Sequence, residues 1–181
     1  MAFKHGPVES QQVELTESIG RACPLKETGH LDQALGVNDH SLRIRPRNAS
    51  LRAAAARFWL ERGDGARALE LLDAGLRQEP DNTALSALRI RVLATDSDPA
   101  VRDQERAQRL IERMLTGAQA EDPRLLGAAA AAANARNDYQ GAIDLAQRSA
   151  TQARERGADV LAERIEAELA IYRTRQPVQD D

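Results

Sequence analysis

Apolar positions in this chain recur at helical spacing, and the blocks they form recur again at a longer interval. Leu69, Leu72 and Leu76 stand three and four residues apart, the stripe of an amphipathic helix with one buried side. Leu161, Ile165, Leu169 and Tyr172 form a similar stripe and predict one amphipathic helix over 158–174 with these four side chains inward. The longer interval shows when GHLDQAL (Gly29–Leu35) is laid over GDGARAL (Gly63–Leu69). The two glycines are 34 residues apart, as are Ala34 and Ala68, Leu35 and Leu69, and Leu42 and Leu76. Pro46 and Pro80 keep the same interval, with Asn48 and Asn82 behind them. NDYQGAI (Asn137–Ile143) is a third copy, with Asn137 in the glycine's place and Ala142 and Ile143 matching Ala68 and Leu69. It lies 74 residues after Gly63, two periods plus six, and the surplus falls in TDSDPAVRDQ (Thr95–Gln104).

Two helices of about 13 residues and two short turns account for such a period. Gly63, followed by Asp64, supplies the left-handed backbone that ends a first helix. Ala68 is small because the paired helices cross there. Pro80 closes the pair, since it has no N–H to donate and disfavours helix in the residue before it. Asp81 or Asn82 then caps the next helix. Asp96–Asp98 is expected to cap a helix following Pro99.

Composition narrows the class. The 181 residues are 42% hydrophobic but only 3% aromatic, so Ala and Leu must fill the core. Runs such as Ala53–Ala56 and Ala128–Ala133 favour close-packed helices and exclude an all-β fold. The net charge of −3 and the absence of interleaved aromatics speak against a nucleic-acid partner. The basic residues are almost all arginine, Lys4 and Lys26 being the exceptions. The sequence has no signal-like apolar run and no stretch of eighteen apolar residues, so membrane insertion is not expected and a cytoplasmic location is the default. An extracytoplasmic location stays open if the chain is a fragment.

The unit Ala49–Asn82 resembles a tetratricopeptide repeat, with Ala56, Trp59, Gly63, Ala68, Leu72 and Pro80 at that family's signature positions. Arg52 stands where the family has an aromatic or aliphatic residue, and Gly75 where it has alanine. The resemblance implies an all-α, right-handed α-solenoid of stacked antiparallel helix pairs with a C-terminal capping helix. Its repeat domain is expected over 15–174, after a flexible segment at 1–14 and before a flexible acidic tail at 175–181. The units are 15–48, degraded and with Pro24 inside its first helix; 49–82; 83–122, carrying the insertion; and 123–157, followed by the cap. In the third of these Arg89 replaces the family's leucine, which predicts an inward face shifted to Leu85, Leu88 and Val92. Val92–Arg173 also looks like the end of a group of bacterial multi-repeat proteins, with VLATDSDPAVRDQ, two repeats and a final helix in the same order. The degraded first unit fits a shortened descendant or a fragment of a longer array, and it invites self-association.

No reactive constellation emerges. His5, His30 and His40 are not paired at the spacing of a helical metal site, and Cys23 has no activating partner. GDGAR (Gly63–Arg67) is a turn without the lysine of a phosphate cradle. Neither a cofactor nor a metal nor an enzymatic activity is expected. The family resemblance does imply a groove lined by the first helix of each pair. Its positions here are Ser50, Ala53, Arg57 and Leu60; then Ala84, Ala87, Arg91 and Ala94; then Arg124, Gly127, Ala131 and Asn134. The family's chaperone-binding Lys/Asn clamp is missing from these positions. The expected role is a protein-interaction scaffold whose arginines Arg57, Arg91 and Arg124 favour a partner segment bearing carboxylates, unless they face water or acidic neighbours. The alternative is the repeat region of a larger transferase or multi-repeat protein whose activity lies elsewhere.

Overall fold

The computed structural model describes residues 48–175, and all regular structure in that range is helical. The degraded unit before Asn48, with Gly29, the three histidines and Cys23, lies outside the described residues, as does the tail from residue 176. Helices α1 (Ala49–Glu61) and α2 (Gly65–Gln78) form one pair, α3 (Thr83–Thr95) and α4 (Gln104–Leu115) a second, and α5 (Pro123–Ala135) and α6 (Tyr139–Glu155) a third. A single helix, α7 (Asp159–Arg175), follows. Each helix packs on its successor, and the first helices also pack on one another, α1 on α3 and α3 on α5. That pattern is an α-solenoid of stacked helix pairs.

Local chemistry sets the start of every pair. Asn48, Asn82 and Asp122 cap α1, α3 and α5, accepting from the N–H groups of Leu51, Leu85 and Arg124 at 3.0, 3.0 and 2.8 Å. Each cap contributes on the order of 1 kcal/mol. The turn within a pair is built as the repeat requires. Gly63 has φ +77° and Asn137 φ +65°, and the N–H of the next residue reaches back to the Trp59 or Ala133 carbonyl at 2.9 and 3.0 Å. Asp64 and Asp138 then cap α2 and α6 through Arg67 and Gly141. Four residues after each cap comes the crossing alanine, Ala68 or Ala142, both fully buried. In the middle pair the same bond runs from Asp103 N–H to Leu93 O at 2.8 Å, the donor lying ten positions after the acceptor instead of five. The insertion therefore loops out without altering the crossing, which is at Ala107. It is pinned by Asp96 and Val101 against Gly65, where any Cβ would fall 2.0 Å from the Asp96 carboxylate.

Two expectations about this middle pair are corrected. The helix after the insertion does not follow Pro99: residues 97–101 are bends and turns, and α4 starts at Gln104 with Asp103 as its cap. Asp96 and Asp98 instead accept from the N–H groups of Asp98 and Ala100 and hold the loop. The inward face of α3 includes Leu85 and Val92 together with Ile90 and Leu93, while Leu88 is only half-buried. Arg89 leans to the other side, its Nε 2.8 Å from Asp73 Oδ1 in an ion pair that lacks hydrogen-bond alignment. Burial holds its guanidinium below the usual arginine range, and Asp73 opposes that.

Arg52 and Gly75 explain each other. A Cβ on Gly75 would lie 2.6 Å from a Leu85 methyl and 3.0 Å from the Arg52 Cδ, so the long arginine stem and Leu85 fill the space an alanine would take. Alanine dominates the rest of the core. In α5 every residue from Leu125 to Ala133 is buried, as expected for a helix with neighbours on most sides. Small side chains let α3, α5 and α6 approach closely, and the larger Leu93, Leu125 and Ile111 plug what remains.

Candidate functional site

Side by side, α1, α3 and α5 present one face, and a depression of about 450 Å³ opens on it. Its walls include Arg57 from α1, Ala84, Ala87, Leu88 and Arg91 from α3, and Arg124 from α5. A second depression of about 390 Å³ shares Leu88 and Arg91 and continues past Leu60 and Val92 to Thr95, Asp96 and Ser97. The face thus carries a groove with an arginine-rich end, an apolar stretch, and a polar end at the insertion. Small residues keep it open: Ala87 and Ala84 leave the floor low between the arginines.

Of the residues expected to line this groove, Arg57, Ala84, Ala87, Arg91 and Arg124 converge on the first depression, and Leu60 on the second. Ser50 is exposed outside both, and Ala53 and Ala94 are buried in the helix packing. Gly127 and Ala131 are buried, and Asn134 is half-buried with its Oδ1 enclosed and without a hydrogen-bond partner among the described residues. The reason lies in α7. That helix packs along α6 and reaches α5 at Gly127, where a Cβ would meet the Ile165 Cδ1 at 2.5 Å and, from α6, the Ser149 Oγ at 3.2 Å. Beyond Arg124, the groove of the last pair is filled at Gly127 by the chain itself.

Arg91 is not free. One guanidinium nitrogen donates to Glu168 Oε2 on α7 at 2.6 Å and to the Gly127 carbonyl at 3.0 Å. Tyr172 donates to the same Glu168 oxygen at 3.2 Å, and burial, then Glu168, pushes its phenol up to about 12. Among the described residues, Arg57, Arg124 and a fourth arginine in the same wall, Arg164 of α7, have no ion pair. Burial, and then the charge of Arg91, holds the Arg164 guanidinium below the usual arginine range; Arg57 and Arg124 push the same way and Glu168 opposes them. Four cations are therefore close enough to feel one another across the depression.

Sequence reasoning missed α7's share of this wall. A signal for it exists. Gly157 precedes Ala162 by five residues, as Gly63 precedes Ala68 and Asn137 precedes Ala142. Gly157 has φ +68°, the next N–H returns to the Ala153 carbonyl at 2.8 Å, and Ala162 is fully buried. The connection to α7 is thus a further copy of the turn found within pairs, and it closes a hairpin with α6.

Among the described residues there is no group of acidic, histidine or cysteine side chains that could hold a metal, and no helix long and apolar enough to cross a membrane. Comparison with known families gives a match to the tetratricopeptide repeat over residues 25–91. The matched stretch takes in all of α1 and α2 and the first part of α3. The repeating helix pairs continue the same design beyond the matched stretch, which is the architecture of a tetratricopeptide-like stack. Such repeats are in general modules for protein interaction. No curated protein and no solved structure matches the chain.

Proposed function

We propose that this protein is a non-catalytic scaffold that binds an extended, acidic segment of a partner protein along the groove of α1, α3 and α5. The observation that carries the reading is the unpaired state of Arg57, Arg124 and Arg164 around one open depression on the groove face. Clustered arginines without counter-charge repel one another in the unliganded groove, and a carboxylate that accepts two parallel N–H bonds relieves that cost. The small floor residues Ala84 and Ala87 leave room for a backbone to lie flat between them. An extended segment also suits a groove that runs on toward Asp96 and Ser97 rather than ending in an enclosed cavity.

The test is titration of fluorescent octapeptide pools, one rich in Asp and Glu and one rich in Lys and Arg, against the wild type and an Arg57→Ala/Arg124→Ala variant. Both substituted side chains are exposed, so the fold should persist, and circular dichroism checks it. The acidic pool should bind preferentially and lose at least about tenfold in affinity in the double variant, about 1.4 kcal/mol. Equal binding of the two pools, or unchanged affinity in the variant, removes the reading.

A further inference from the structure

We propose that the arginine-rich end of the groove is a phosphate site, built jointly by the repeats and by α7, that reads a phosphorylated serine or threonine in the partner segment. This deepens the reading above and rests on it. Four guanidinium groups, Arg57, Arg91, Arg124 and Arg164, come from four different helices and share one depression. Among the residues that line it the one carboxylate is Asp159, and Glu168 is already held by Arg91. Four positive charges against two negative leave an excess of two, and a phosphate monoester carries about −1.5 to −2 near neutral pH.

Shape favours the same ligand. A carboxylate is planar and satisfies arginine forks that lie in its plane. Arg57, Arg124 and Arg164 reach the depression from three different helices, α1, α5 and α7, while Arg91 is held by the Gly127 carbonyl and Glu168. A tetrahedral phosphate offers three oxygens in three directions, one for each guanidinium that has no ion pair. The turn into α7 and the helix's first residues, Gly157–Leu161, form part of the wall, and the positive helix end adds to the field. Beyond the arginines the groove turns apolar at Leu88, Leu60 and Val92 and then polar at Asp96. The ligand is therefore a phosphoresidue within a polypeptide, with an apolar side chain a few residues away and no second acidic group at the Asp96 end.

The experiment compares three peptide pools, identical except for a fixed central residue that is phosphoserine, glutamate or serine, on the full chain and on Arg164→Ala. Inorganic phosphate is titrated in parallel while the arginine Nε–H signals are followed by NMR. The phosphoserine pool should bind at least tenfold tighter than the glutamate pool, and inorganic phosphate should shift the Nε–H signals of Arg57, Arg124 and Arg164. Arg164→Ala should abolish the preference for phosphoserine while leaving the glutamate affinity within about threefold. Equal binding of the phosphoserine and glutamate pools overturns the phosphate site and leaves the acidic-segment reading standing. Failure of both pools to exceed serine overturns both. A response to inorganic phosphate without any preference for phosphoserine shows an ion site only and also overturns the proposal.

Discussion

Arg57 and Arg91 occupy the same position of successive first helices, 34 residues apart, yet they lead different lives. Arg57 is exposed at the front of the groove and has no ion pair among the described residues. Arg91 is half-buried, bonded to the Gly127 carbonyl and to Glu168. The repeat fixes where each side chain emerges, but the neighbouring element decides what it does there. At the back of the groove that neighbour is α7, which replaces a ligand with the chain's own residues. At the front, among the described residues, no carboxylate pairs with Arg57.

The largest break in this comparison comes from loosening α7. Ile165 is 1% exposed, packs over Gly127 and belongs to a cluster with Ala130, Ala146 and Tyr172. Ile165→Ala should cost about 2–5 kcal/mol through lost burial and a residual cavity. Urea unfolding measures the loss, and hydrogen exchange should show α7 opening ahead of α1–α4. Val160, on the same helix but 83% exposed, provides the control: Val160→Ala should stay within about 0.5 kcal/mol. If Ile165→Ala is as mild as Val160→Ala, α7 does not hold the back of the groove.

The second break tests the two arginines directly. Arg91→Gln removes a charge-assisted bond from a half-buried carboxylate and should destabilise by roughly 1.5–3 kcal/mol. Arg57→Gln removes no ion pair and should change stability by no more than about 0.5 kcal/mol. Thermal unfolding of the two variants side by side is sufficient. Equal effects would mean that the Glu168 contact contributes little and that the arginines are alike after all.

Much of this was legible in the sequence, and the parts that were not share a cause. Gly63, Ala68, Pro80 and Asn82 announced the helix pair because each meets a local backbone demand: a left-handed residue, a close crossing, a stop and a cap. Asn137 could be placed as a stand-in for glycine because asparagine tolerates the same left-handed backbone. The core of α3 was harder. Leu88 satisfies the same spacing as Leu85 and Val92, and only its neighbours put it in the groove wall, while Ile90 and Leu93 go inside. For Arg91 and Gly127, position within the repeat indicated a groove, but their surroundings depended on the path of α7. That path is a contact between segments tens of residues apart, which hydrophobic periodicity does not encode. The partial exception is Gly157 followed by Ala162, a local signature that marks the hairpin into α7.

That signature allows the mildest and most discriminating test. Gly63 and Gly157 have nearly the same backbone, φ +77° and +68°, and a Cβ at either would meet nothing within 4 Å. Substitution by alanine therefore costs only the left-handed strain, about 1 kcal/mol at each site. Gly63→Asn and Gly157→Asn should cost less than the alanine changes, because asparagine already serves at position 137 with φ +65°. Equal cost would still separate the two ends of the groove by consequence. Gly63→Ala strains a turn inside the front pair and should leave the Arg91–Glu168 bond intact, whereas Gly157→Ala strains the one connection that sets α7 over α5. In NMR spectra the Nε–H signal of Arg91 should therefore move in Gly157→Ala and stay in place in Gly63→Ala. A shift of equal size in both variants would show that the turn into α7 has no special hold on the back of the groove.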